Sequence, residues 1–423
     1  MKYQEKEIKN GIKLHTINTD KFKTNLIAVF LTTKLDRDNV TKNAVVSSVL
    51  RRGSQNMQTQ EEISKKMEEM YGASFDCGLD KTGDNQVLKF YIETINDNFL
   101  PQKGENMLKT SLESLFDIVF NPYIENNVFK KEYIDQEKNN IKQRIEGKID
   151  NKARYALDRC IEEMYKEKPF GLYKFGYIED LEGINENNLY DYYNQLINTC
   201  KIDIFVSGIV DEEIYNIVSS NDNISKLQER TPDYVPVNVS DKKNIEKEKN
   251  IIETMDVTQG KLIIGLDLDL ENEDAKYDAL IYNCILGGTA NSKMFQNVRE
   301  KAHLAYVASS SYLRYKNNIF VNCGIEIGNY EKALELIKKQ ILDMEKGDFT
   351  EEDIQNAKKG VIATIKTIDD EQDTGITYCF GQELSNNRIS IDDYIKRIES
   401  VRKDDIVNVA NKVKIDTIYF LRD

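Results

Sequence analysis

Apolar and polar residues alternate, between turn residues, at 25–32, 87–95, 202–208, 261–270, 319–327 and 417–421, which predicts strands there. Apolar positions recur every three or four residues at 59–71, 109–120, 127–145, 151–165, 274–286, 330–344 and 353–368, and this spacing predicts helices. Both kinds are interspersed in each half of the chain. The helices are many and long, so the pattern predicts α+β layers rather than a sandwich.

Between about Ser220 and Asn250 the pattern turns polar and charged around Pro232 and Pro236. The expected division is therefore a domain over 1–220, a polar linker over 221–252 and a second domain over 253–423. The halves also echo each other. Lys-Ile-Asp begins at Lys201 and again at Lys414, each time after a predicted helix (188–199 and 404–412) and at the start of a terminal apolar strand. The expected architecture is two tandem homologous domains, each a mainly antiparallel sheet covered by several long helices.

Composition narrows the chemistry. The 423 residues include 58 Lys plus Arg against 72 Asp plus Glu, for a net charge of −14, which argues against nucleic acid as a partner. No apolar run approaches a membrane span, and the first residues have no apolar signal core, so no membrane partner is expected and the cytoplasm is the expected location. Cys77, Cys160, Cys200, Cys284, Cys323 and Cys379 are dispersed without CxxC and read as reduced thiols. The two histidines, His15 and His303, lie in opposite halves, which excludes sites needing two histidines close in sequence.

The stretch from Ile285, ILGGTANSKMFQNVREKAHLAYVASSSY, resembles the C-terminal half of pitrilysin- and insulysin-type (inverzincin) zinc metallopeptidases, which include mitochondrial processing peptidase. The resemblance implies that Arg299 and Tyr306, seven residues apart, are the substrate-binding pair that reaches toward a scissile peptide. A guanidinium offers forked donors to carbonyls, and a phenol can donate to a developing oxyanion. Gly287 and Gly288 are expected to end the preceding helix as a left-handed cap, and His303 to serve a surface or turn role.

In the first half such an enzyme carries HxxEH, two zinc-binding histidines and a water-activating glutamate on one helix, plus a distant glutamate ligand. Aligning the Gly53-Ser54 turn places Ala44 and Ser48 at the histidine positions and Ser47 at the catalytic glutamate. The stretch EKNNIKQRI from Glu137 places Arg144 at the distant ligand. None of these can replace the lost chemistry, and a cation there disfavours a metal. No metal, cofactor or catalytic residue is therefore expected in this chain alone, with zinc carried by a partner subunit.

The resemblance implies a non-catalytic subunit of a heterodimeric zinc metallopeptidase that binds and orients peptide for a zinc-bearing HxxEH relative. The alternative is a catalytically silent homodimeric peptide-binding or scaffold protein of the same fold. The stretch NKARYALDRCIEEMY also resembles bacterial chains named for an association with the 5-aminopentanol modification of elongation factor P.

Overall fold

The computed structural model describes residues 2–100, 105–237, 245–270 and 272–423. Residues 238–244 of the expected linker lie outside the described residues. The chain forms two compact units. The first comprises Met1–Glu146, Leu172–Pro236 and Asp369–Gly381; the second comprises Gly147–Gly171, Val237–Ile368 and Gln382–Asp423.

In the first unit the strands are β1 (Lys2–Lys9), β2 (Ile12–Asn18), β3 (Thr24–Lys34), β4 (Ser74–Thr82), β5 (Asn85–Ile95), the short pair β6 (Ile124–Glu125) and β7 (Val128–Phe129), and β8 (Lys201–Gly208). The main sheet runs β1-β2-β8-β3-β5-β4, antiparallel except for the pair β2 and β8. Nine of the eleven β3 residues and all eight of β8 are buried, because both faces of the sheet are covered. Ile27, Val29 and Leu31 on one face join Val45 and Val49 of the helix Val40–Leu50, Leu112, Leu115 and Phe116 of Met107–Phe120, and Leu189 and Leu196 of Glu186–Thr199. On the other face Phe30 packs edge-on against Phe380 at 4.7 Å, and Phe205 stacks on His15 at 4.3 Å.

The second unit has β9 (Lys249–Thr254), β10 (Gly260–Leu268), β11 (Ala305–Leu313), β12 (Asn318–Ile325) and β13 (Val413–Arg422), in the order β11-β12-β10-β13-β9. Its one parallel pair is β13 with β9. Strand for strand this repeats β4-β5-β3-β8-β2, and the Lys-Ile-Asp strands β8 and β13 hold corresponding places. The helix Lys152–Met164 lies on this sheet, burying Ala156, Cys160 and Met164 against Ile263, Phe320 and Tyr419.

The covering helices are exchanged between the halves of the chain. Lys152–Met164, from the first half, covers the second unit's sheet; residues 372–381, from the second half, cover the first unit's sheet. The compact units are thus not the contiguous stretches 1–220 and 253–423. Within 221–252, the helix Asp222–Ser225 and a segment hydrogen-bonded through Arg230 to Asn10 and through Asp233 to Thr199 belong to the first unit, and β9 belongs to the second.

Two predicted helices differ in detail. The stretch 127–145 opens as the β6–β7 hairpin, whose Asn126 and Asn127 turn at φ 52° and 66°, and the helix proper is Lys131–Glu146. The stretch 274–286 is an α-helix over Ala275–Asn283 that widens into a π turn over Cys284–Gly288. Among the described residues no helix is long and apolar enough to cross a membrane.

Candidate functional site

In the first unit a cleft of about 590 Å³ opens between the helices Val40–Leu50 and Lys131–Glu146 and the strand β4. Ala44, Ser47 and Ser48, spaced three and four apart, share one helical face, so all three line it. The same spacing brings Glu137, Asn140, Ile141 and Arg144 to the opposite wall, while Cys77, Gly78 and Leu79 of β4 form a third side. The positions aligned with the zinc motif, Ala44, Ser47, Ser48 and Arg144, are therefore gathered around one space.

Residues that the sequence reading did not single out dominate its electrostatics. Arg51 and Arg52, just past the helix Val40–Leu50, line the cleft with Gln60 and Phe175. Arg52 Nε lies 2.5 Å from Glu137 Oε1 and its Nη1 donates to Gln60 Oε1 at 3.2 Å, while Asn140 donates to Glu137 Oε2 at 3.2 Å. The Arg144 guanidinium sits 4.9 Å over the Phe175 ring. Among the described residues neither Arg51 nor Arg144 pairs with a carboxylate. The i, i+3, i+4, i+7 run at 137, 140, 141 and 144 is the signal that would have found Glu137 in the sequence.

These side chains do not fit a zinc ion. The lining offers no histidine, and its one carboxylate, Glu137, is engaged by Arg52 and Asn140. Burial pushes the Cys77 thiol up to about 11, so the thiolate a metal needs is disfavoured there. The unpaired charges of Arg51 and Arg144 oppose a cation. His15 is elsewhere, buried in β2, facing Tyr3 Oη at 2.8 Å and Asp203 Oδ1 at 2.9 Å.

The second unit carries the other sequence-predicted pair. Arg299 lies in a second π-helical segment, Met294–Lys301, half-buried, 4.6 Å over the Phe295 ring and 3.6 Å from Glu300. His303, at φ 53°, makes the left-handed turn out of that segment, its amide donating to Arg299 O. Tyr306 follows on β11, at the sheet edge, where the pairing with β12 shifts between Ala305 and Val307. That bulge turns the phenol outward, leaving Tyr306 62% exposed. Among the described residues no hydrogen bond joins Arg299 to Tyr306. Gly287 and Gly288 have no positive φ, so they are not a left-handed cap; a Cβ on Gly287 would meet the Ser310 backbone N at 2.6 Å, and the glycine is there to let the π turn approach β11.

Residues 183–361 match the family described as peptidase M16 inactive domain. Over 415 residues, 97% of the chain and 96% of the relative, the sequence is 36% identical to the "Probable inactive metalloprotease YmfF" of Bacillus subtilis (strain 168). A further relative in that organism, "Uncharacterized zinc protease YmfH", is 25% identical over 316 residues, 72% of this chain and 70% of that one. Among solved structures, a conserved protein from Enterococcus faecalis V583 superposes with a TM-score of 0.91 at 26% identity, covering 99% of this chain and 98% of that one. A peptidase M16 inactive domain from Pseudomonas fluorescens shares the fold with a TM-score of 0.79 at 14% identity, covering 100% and 98%.

Proposed function

Since this chain belongs to the peptidase M16 family, as an inactive peptidase-like member, we propose that it is the substrate-holding subunit of a two-chain zinc peptidase, with the zinc in an HxxEH-bearing partner. The observation that carries this reading is the contrast between the two sites. The cleft of the first unit has a lining that disfavours a metal, whereas the second unit displays Tyr306 to solvent on a bulged edge strand and holds Arg299, half-buried, on the π-helical segment before it. The contacts of Arg299 are local, with Phe295 and Glu300 of its own segment, which leaves guanidinium donors for a substrate from another chain.

Peptide binding is further supported by β4. It ends the first sheet, where the Cys77 amide donates to Asp76 and Leu79 O accepts from Lys174, so side chains rather than a further strand meet that edge and an extended peptide could add there by displacing them. That a single organism has one relative named an inactive metalloprotease and others named zinc proteases fits a division of labour between chains. In this arrangement the partner's metal would supply the Lewis acid, Tyr306 would donate to the scissile carbonyl oxygen and Arg299 would hold a neighbouring carbonyl.

The test is peptidase turnover of the reconstituted pair. Tyr306→Phe or Arg299→Ala is expected to lower kcat by about 10²-fold or more, the loss typical for one oxyanion donor, with the melting temperature little changed because Tyr306 is exposed and Arg299, though half-buried, meets only Phe295 and Glu300 of its own segment. Unchanged turnover in both variants removes the proposed role. Recovery of the chain solely as a homodimer, with no zinc-bearing relative bound, favours the silent peptide-binding scaffold instead.

A further inference from the structure

We infer that the cleft of the first unit is a carboxylate site that takes the free C-terminus of a peptide, with Arg51 and Arg144 binding the carboxylate and the adjoining hollow receiving the last side chain. The inference rests on the peptide-holding reading above and adds which end of the peptide is held, and by what.

Charge is the first argument. Arg51, Arg52 and Arg144 face the cleft against the single carboxylate of Glu137, which Arg52 and Asn140 already hold. That leaves two guanidiniums without an acidic partner among the described residues, in a molecule whose net charge is −14. Arg51 and Arg144 line the same cleft beside Cys77, and Asp76, next to that thiol, is an exposed side chain that accepts from the Cys77 amide. Phe175, 4.9 Å from the Arg144 guanidinium, makes a cation–π contact that uses none of its N–H donors as a hydrogen bond.

Shape is the second argument. A further cleft of about 540 Å³ shares Arg51 and Gln60 with the first, and its walls include buried Ile63 and Met67 with half-buried Ala73 and Phe75. That cleft also carries Glu68, Ser64 and Ser74, so Arg51 stands where a basic space meets a partly apolar one. A terminal amino acid presents a carboxylate and an apolar side chain on one carbon, and it fits that juxtaposition. The free edge of β4 borders both spaces, through Ser74 and Phe75 in one and Cys77 to Leu79 in the other. Where related enzymes place a metal for cutting inside a peptide, this chain would hold a peptide by its end.

The experiment is fluorescence anisotropy with full-length protein and a fluorescein-labelled peptide ending in leucine, prepared as the free acid and as the C-terminal amide. The free acid is expected to bind at least about tenfold tighter, the difference expected for a charge-assisted contact. Arg51→Gln and Arg144→Gln should each remove most of that preference, and Arg144→Lys should keep part of it, with thermal melting unchanged in all three. Equal binding of acid and amide, or a preference that survives both glutamine variants, overturns the inference. Displacement of the peptide by inorganic phosphate at submillimolar concentration also overturns it, by assigning the arginines to phosphate. If acid and amide bind equally while Arg299→Ala still lowers turnover with the partner, only the carboxylate site falls; if neither peptide form binds, both readings fall.

Discussion

Arg52 Nε and Glu137 Oε1 lie 2.5 Å apart, with their side chains 18% and 7% exposed, and this pair ties the helix Lys131–Glu146 to the turn that follows Val40–Leu50. Removing one partner leaves a largely buried charge alone. Glu137→Ala or Arg52→Ala is expected to lower the unfolding free energy by about 2–4 kcal/mol. The double replacement by methionine should recover much of that loss, because no charge is then stranded. Urea denaturation of the singles and the double measures the coupling, and strictly additive losses would mean the two side chains act independently.

Gly287 and Gly78 make an opposed pair of tests. A methyl group on Gly287 runs into the Ser310 backbone, which cannot step aside like a flexible side chain, so Gly287→Ala should destabilise by about 1–3 kcal/mol and disturb β11, the strand of Tyr306. At Gly78 a Cβ meets nothing within 4 Å, so Gly78→Ala should stay within about 0.5 kcal/mol of the native chain in the same melts.

Asp203, buried in β8, supplies an acid-sensitive term. Burial opposes its ionisation, but Lys201 and the hydrogen bond with His15 outweigh that and hold the carboxyl down at about 2. A carboxyl whose folded pKa lies below its unfolded value, 3.8, binds fewer protons when folded, so its stabilisation is complete above about pH 4 and is lost as pH falls toward about 2. Stability profiles of the native chain and Asp203→Asn should converge over that window, and parallel profiles would deny the linkage.

The exchanged helix makes the first unit depend on a distant part of the chain. Phe380, 2% exposed, covers Phe30 and Phe205, so Phe380→Ala should cost about 3–5 kcal/mol. Residues 1–236 expressed alone lack 369–381, leave that aromatic face bare and should bind a hydrophobic dye and aggregate. A monomeric fragment with a cooperative melt would show that the exchange is dispensable.

Much of the secondary structure was legible because one-sided burial leaves a period. The alternating end of β5 and the amphipathic helices Gln60–Glu69 and Tyr330–Glu345 announce themselves in this way, while β3 and β12, buried on both faces, show as short apolar runs between turns. Elements without a one-sided face did not. β1 is mostly exposed, β11 is built largely from small residues, and Val40–Leu50 is buried nearly all round, so none shows a clean alternation. In the cleft, Ala44, Ser47, Ser48 and Arg144 were found through a missing motif. Arg51 and Arg52 were not, nor was the pairing of Arg52 with Glu137, because an ion pair across 85 positions has no local signature.

The sequence by itself determined the α+β class, the recurrence of a Lys-Ile-Asp strand after a helix at the end of each half, and the absence of an HxxEH motif, since each is a matter of residue type and short-range spacing. Only the tertiary structure decided which helix covers which sheet, because a helix with one apolar face fits either sheet and the choice is made by long-range packing. The same holds for the charge of the degenerate cleft. Three arginines from two separate segments become an electropositive surface only when folding brings them to one space and pairs Glu137 with Arg52.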